Sequence, residues 1–217
     1  MANDKLFLEE KETGRIEAFS DGVFAIAITL LILDIKVPHM RDLTSAGGLV
    51  QALLGLWPAY IAYLISFATI LIIWVNHHRI FNYIKRSDDA FLFLNGFLLF
   101  LVVFIPFPTA LLSEYLTSQY AHIVSAIYSG TFLMVAVALQ LLWRHAAKDK
   151  RLISRNADHC FISNISKQYR YGPPLYLLAL MLSFIWAPAS IAMCFLLAVF
   201  FSIAGAITKM YCEIEIK

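Results

Sequence analysis

The chain has 217 residues, 60% of them hydrophobic and only 15% charged, with a net charge of +2 and a mean hydropathy of +0.72. Soluble domains run nearer a quarter charged, and a fold of this size cannot hide so much apolar surface from water. A soluble enzyme, a nucleic-acid binder and a disordered chain are excluded, and the composition is that of an all-α, polytopic membrane protein.

Residues 53–75, 90–112, 123–143 and 171–208 contain no Lys, Arg, Asp or Glu. Each stretch exceeds the ~18 uncharged residues that mark a membrane-spanning helix. Ahead of them, the first fifteen residues are polar and carry both charge signs. That does not fit a signal peptide, so the first apolar helix is expected to act as an uncleaved anchor. This first span is predicted from about Phe19 to Val37 and is stopped by Pro38, which cannot continue the hydrogen-bond ladder. It is the most polar of the set, holding Ser20, Asp21, Thr29, Asp34 and Lys36. The second is predicted at 53–75, with a helix that starts near Leu49 and runs on toward Ile84. The third covers 90–112, with Pro106 and Pro108 near its far end, and the fourth covers 123–143.

The last uncharged stretch would be about 57 Å long as one straight helix, against about 30 Å of hydrocarbon, so it must break. Ala187-Pro188 is the expected corner. A short fifth span (175–186), with a re-entrant segment as its alternative, and a full sixth (189–208) follow. Six spans make one domain over residues 1–217. With the N-terminus in the cytoplasm, fifteen of the 17 Lys and Arg residues fall inside, and only Lys36 and Arg41 outside. The positive-inside rule therefore predicts that both termini are cytoplasmic, in a multi-pass protein of the plasma membrane. Seven basic residues between Arg144 and Arg170 are expected to meet anionic lipid headgroups. Cys160, Cys194 and Cys212 form no CxxC pair and read as reduced structural thiols. No internal repeat is visible, so a central transport path would need oligomeric symmetry.

The carbonyl-lined filter sequence Thr-Val-Gly-Tyr-Gly is missing, as are a Walker A loop, a GxSxG elbow and an HExxH pair. No enzymatic activity and no cofactor are expected. The informative segment is Arg15-Ile-Glu-Ala-Phe19-Ser20-Asp21-Gly22 and the aliphatic run after it. A carboxylate just inside an apolar helix is costly and marks a partner or a task. At 100° per residue, with Ile26 at zero, Leu30 lies near +40°, Leu33 near −20° and Thr29 near −60°, all within about 100°. Asp21 lies near −140°, on the other side. The stripe fits lipid contact, a packed seam or a pore lining. As a pore lining, rings of Ile26, Leu30 and Leu33 would form hydrophobic constrictions, and Thr29 would supply a polar layer.

The second helix returns Trp74, Asn76, His77, His78 and Arg79 to the depth of Arg15, Ser20 and Asp21. A buried network joining Asp21 to Arg15, Asn76 or His77 is expected there. Adjacent histidines point about 100° apart on a helix, so His77-His78 is a poor metal pair and no metal site is expected.

The motif Arg15-x-x-x-Phe19-Ser20-Asp21 opening the first helix, with the Trp/Asn/His cluster ending the second, resembles the transmembrane protein 175 family. The likeness extends over nearly the whole chain. The resemblance implies a potassium-permeable channel, a homotetramer for a chain with one six-helix repeat, and a pore lined by the first helices. By position from the Phe-Ser-Asp anchor it implies that Ile26, Leu30 and Leu33 form the constriction and Thr29 the polar layer. It also implies that Arg15, Phe19, Ser20 and Asp21 are structural, with Trp74, Asn76 and His77 as partners. The expected function is a cation channel favouring K+ over Na+, with K+ as the permeant ion, Asp34 at the outer mouth, and membrane lipid but no nucleic acid as partner. The alternative is a proton-coupled secondary transporter using Asp21 or Asp34 as carrier.

Overall fold

A computed structural model describes residues 2–39, 48–154 and 159–215. Helix α1 spans Ala2–Leu30 and tightens into a 3-10 turn, Leu31–Asp34, that ends where Ile35 turns extended. After a short α2, Gly48–Gly55, helix α3 runs Trp57–Phe81 with Pro58 in its first turn. Proline is tolerated there because the first amides of a helix have no intrahelical acceptor. The expected start near Leu49 is therefore split, with Leu56 between two helices. Helix α4, Asp89–Phe104, is capped by the Asp88 carboxylate, which accepts from the Phe91 amide at 2.8 Å. Pro106 interrupts the ladder, and α5, Pro106–Tyr115, continues the same traverse.

Helix α6, Ala121–Ala147, is followed by a 3-10 turn at Lys148–Lys150, where Asp149 takes φ 54°. Helix α7, His159–Ser183, and α8, Ala187–Glu215, complete the order. The segment expected at 175–186 is thus the later part of a 25-residue helix, about 38 Å long. Its polar first half, with Ser166, Lys167, Gln168 and Arg170, hides it from an apolarity test. The turn into α8 falls at 184–186, just before Ala187-Pro188.

Among the described residues, five segments are long and apolar enough to cross a membrane: Thr13–Asp34, Trp57–Phe81, Asp89–Tyr115, Ala121–Ala147 and Ala187–Gly205. Helix α6 is the hub, packing on α4, α5, α7 and α8, with Tyr128, Phe132 and Trp143 buried along it. The hydroxyls of Tyr128, Ser66 and Thr109 are linked at 3.1 and 2.8 Å, pinning α6, α3 and α5 together in the core. At one end, Ile84 and Ile153 form an antiparallel bridge that ties the α3–α4 connection to the segment after α6. Cys194 is a free, buried thiol, but Cys160 is disulfide-bonded, so the reading of all three cysteines as reduced fails there. Helix α1 sits at the edge of this bundle and packs chiefly on α3 and α4.

Candidate functional site

Helix α1 has two unlike faces. Toward α3 and α4 it buries Ser20, Phe24, Ala27 and Leu31. On the opposite face Phe19, Ile26, Leu30 and Leu33 are 66%, 58%, 39% and 72% exposed, and Thr29 is exposed with them. A membrane helix with this pattern has an apolar stripe that the described residues leave largely uncovered. The Thr29 hydroxyl donates to the Ile26 carbonyl at 2.9 Å, which leaves its oxygen lone pairs available on that stripe. Asp34 ends the stripe half-buried, with Oδ2 enclosed and unpartnered, while neighbouring Lys36 pairs instead with Glu114 at 3.0 Å.

The other face is fixed by three polar contacts within two turns. Trp74 Nε1 donates to Asp21 Oδ1 at 2.7 Å, and His78 Nδ1 meets Glu17 Oε1 at 2.9 Å. The third is a relay whose direction can be worked out from one end. The Ser20 hydroxyl gives its proton to the Ile16 carbonyl at 2.8 Å, so it can only accept from Asn95 Nδ2 at 3.0 Å. Asn95 Oδ1 must then face His77 Nε2 at 2.9 Å, and His77 carries its proton on Nε2. The His77 ring stacks on Phe81, with 4.3 Å between centroids, and tilts against Phe24 at 5.4 Å. Its Nδ1 is buried without a partner.

The partners match those expected only in part. Asp21 binds Trp74 rather than Arg15, Asn76 or His77. Arg15 is exposed and, with Phe19, lines an open cleft of about 570 Å³ whose far wall carries Asp88 and Asp89. It precedes Asp21 by more than a turn and a half of helix, which turns it to a different side. Asn76 faces away from α1: Arg79 Nη1 approaches its Oδ1 at 3.4 Å and donates to the Ser202 carbonyl of α8 at 2.7 Å. One turn of α3 thus holds α1 on one side and α8 on the other.

Asn95 and the Glu17–His78 pair were not singled out from the sequence. The signal for Asn95 was available, since it is the only side-chain amide in the uncharged stretch 90–112. Outside the spans, burial pushes the Asp88 carboxyl up, but the Phe91 amide, His145 and Arg151 outweigh it and hold it below the ordinary carboxylate range.

Fold and site together define a polytopic helical membrane protein whose first helix is anchored by its polar face and left uncovered along an aliphatic one. The family model for "Endosomal/lysosomal potassium channel TMEM175" matches residues 15–106, which contain every α1 contact described above. A potassium channel of Chamaesiphon minutus is 55% identical over 195 residues, covering 90% of this chain and 96% of the relative. A potassium channel of Streptomyces collinus is 45% identical over 191 residues, covering 88% and 91%. The crystal structure of a lysosomal potassium-selective channel TMEM175 homolog from Chamaesiphon minutus superposes with a TM-score of 0.82 at 52% identity, over 90% of this chain and 99% of that one. The chain belongs to the TMEM175 potassium-channel family.

Proposed function

We propose that the protein is a cation channel that passes K+ in preference to Na+, with a pore lined by the α1 helices of four identical copies. The observation that carries this reading is the uncovered stripe of Ile26, Thr29, Leu30 and Leu33, opposite a face that is fully engaged by α3 and α4. Around a symmetry axis the aliphatic residues become rings narrow enough to gate by dewetting. Partial dehydration at such a ring costs Na+ more than K+, because the smaller ion holds its water more tightly. Thr29 oxygens offset part of that cost, so selectivity is modest and no cofactor is required. Asp34 draws cations to the outer mouth.

The chain crosses the cell membrane six times in this reading, with α7 as the fifth span and both termini in the cytoplasm. At about 38 Å, α7 has the length to cross about 30 Å of hydrocarbon. The split of basic residues between the two sides supports the orientation.

The test is ion flux through purified protein in liposomes, under opposed K+ and Na+ gradients. Passive K+ flux faster than Na+ flux is expected. Saturable, proton-driven flux abolished by Asp21→Asn would instead support a secondary transporter. The structure gives that carboxylate a Trp74 partner on the side away from the stripe, which argues against a carrier role.

A further inference from the structure

The end of α6 treats its cations in two opposite ways. On one side Arg151 pairs with Asp88, whose carboxylate also lies 2.9 Å from His145 Nε2, so the Arg151 charge is offset. On the other side Arg144 and Lys148, with Arg170 from α7, line a cleft of about 430 Å³. All three are exposed, and none has a side-chain hydrogen bond or ion pair among the described residues. Of the described residues no Asp or Glu lines the cleft, and Asp149, the sequence neighbour of Lys148, stays outside it.

The arrangement is built rather than a scatter of basic side chains. Gln140, Arg144 and Lys148 follow at steps of four, which stacks them along one side of the helix end. The floor is fixed, because buried Trp143 donates from Nε1 to Ser166 Oγ at 2.9 Å and locks α6 to α7 beneath the cations. Like charges spaced in this way repel, and nothing described in the chain offsets them. The cleft also sits where the span Ala121–Ala147 leaves the membrane, the depth of lipid phosphates.

We propose that this cleft is a phosphate-binding site, with Arg144, Lys148 and Arg170 as the charged ligands and anionic phospholipid as the source of the phosphate. Guanidinium groups suit the role because they grip two phosphate oxygens at once, and the Gln140 amide adds a neutral donor. The site does not depend on how ions permeate, and its test needs no flux measurement.

Thermal unfolding and native mass spectrometry of the full-length protein would be compared in nanodiscs of phosphatidylcholine alone, of phosphatidylcholine with phosphatidylglycerol, and of phosphatidylcholine with inorganic phosphate in the buffer. Phosphatidylglycerol should raise Tm by about 5 °C and remain bound in the spectrometer. Arg144→Gln/Arg170→Gln should abolish both effects, while Lys85→Gln/Lys167→Gln, with the same loss of charge elsewhere, should retain them. Should the first pair fail to fold, Lys148→Gln alone should halve the shift. An equal rise with inorganic phosphate keeps the site but makes free anion its source. No rise with either probe, or equal loss in the control pair, overturns the proposal.

Discussion

The two faces of α1 are made by one helix in one membrane, yet they obey different rules. On the α3–α4 side polar groups are placed where a partner meets them: Glu17 with His78, Ser20 with Asn95, Asp21 with Trp74. On the other side the large residues are apolar, with a single hydroxyl turned back on its own backbone. Lipid tails are as apolar as a leucine side chain, so apolar burial does little to hold one membrane helix against another. Directional bonds have to do it, and they sit where α1 must not move. The uncovered stripe lacks such bonds, as a pore lining of the kind proposed would.

Breaking the anchored face should give the largest effect. Asn95→Leu removes both the acceptor for His77 Nε2 and the donor to Ser20 Oγ, leaving the buried His77 N–H unpaired and Ser20 with only its bond to the Ile16 carbonyl. At about 1–3 kcal/mol for the unpaired donor and about 1 kcal/mol for the bond lost at Ser20, a loss of roughly 3 kcal/mol is expected. For a chain of this length that corresponds to a fall in Tm of about 6–12 °C in thermal unfolding. A fall below about 2 °C would mean that the relay does not anchor α1.

The uncovered face should behave oppositely. Leu30→Asn places an amide at a position that is 39% exposed, so stability should change by less than about 1 kcal/mol. If the stripe lines the pore, wetting one ring should raise single-channel conductance about tenfold, equivalent to ~1.4 kcal/mol of barrier. Unchanged single-channel currents in planar bilayers would remove Leu30 from the permeation path. The pair of variants separates the faces cleanly, with one expected to move Tm and the other to move current.

This division was partly legible in the sequence. A period of 100° per residue sets Asp21 opposite Ile26 whatever surrounds them, and in the structure Asp21 meets Trp74 while Ile26 is uncovered. The partners were less legible, because they depend on which neighbouring helix comes close and at what height. Asn76 and His77 are adjacent in sequence, but one faces α8 and the other α1. Asn95 supplies the link from a third helix that no local pattern joins to Ser20. The start of α7 was masked for a related reason, since the polarity of 159–170 conceals a helix continuous with the apolar residues beyond.

A smaller effect is expected at the clasp where α4 begins, outside the spans. Asp88 caps α4 and joins it to His145 and Arg151. Asp88→Ala should cost about 1 kcal/mol through the lost cap. Asp88→Asn keeps the cap and loses the charge pairs, so it should fall between Ala and wild type. The carboxyl is held below its ordinary range, and its stabilisation is complete above the unfolded value near about 3.9. It is lost as pH falls through the lower folded value. The wild-type Tm should therefore be insensitive to this group between neutral pH and about pH 5. Below about pH 4 it should decline more steeply than that of Asp88→Asn.

The smallest effect tests whether α3 is tied as firmly on its far side as on the side that holds α1. Arg79 crosses over Gly205 to reach the Ser202 carbonyl, and a Cβ at position 205 would stand 2.6 Å from its Nη1. Gly205→Ala therefore opposes two terms. Displacing a hydrogen bond from a charged donor costs about 1.5–3 kcal/mol, while alanine in place of glycine within a helix returns up to about 1 kcal/mol. A net loss near 1 kcal/mol is expected. In an Arg79→Met background the first term is already gone, so the same glycine substitution should reverse sign and stabilise by about 0.5–1 kcal/mol. That reversal, read as two Tm differences, isolates the Arg79–Ser202 contact from the glycine itself. If Gly205→Ala destabilises equally in both backgrounds, the close approach of α3 to α8 rests on backbone packing, and the far side of α3 is held by shape rather than by the directional bonds that hold α1.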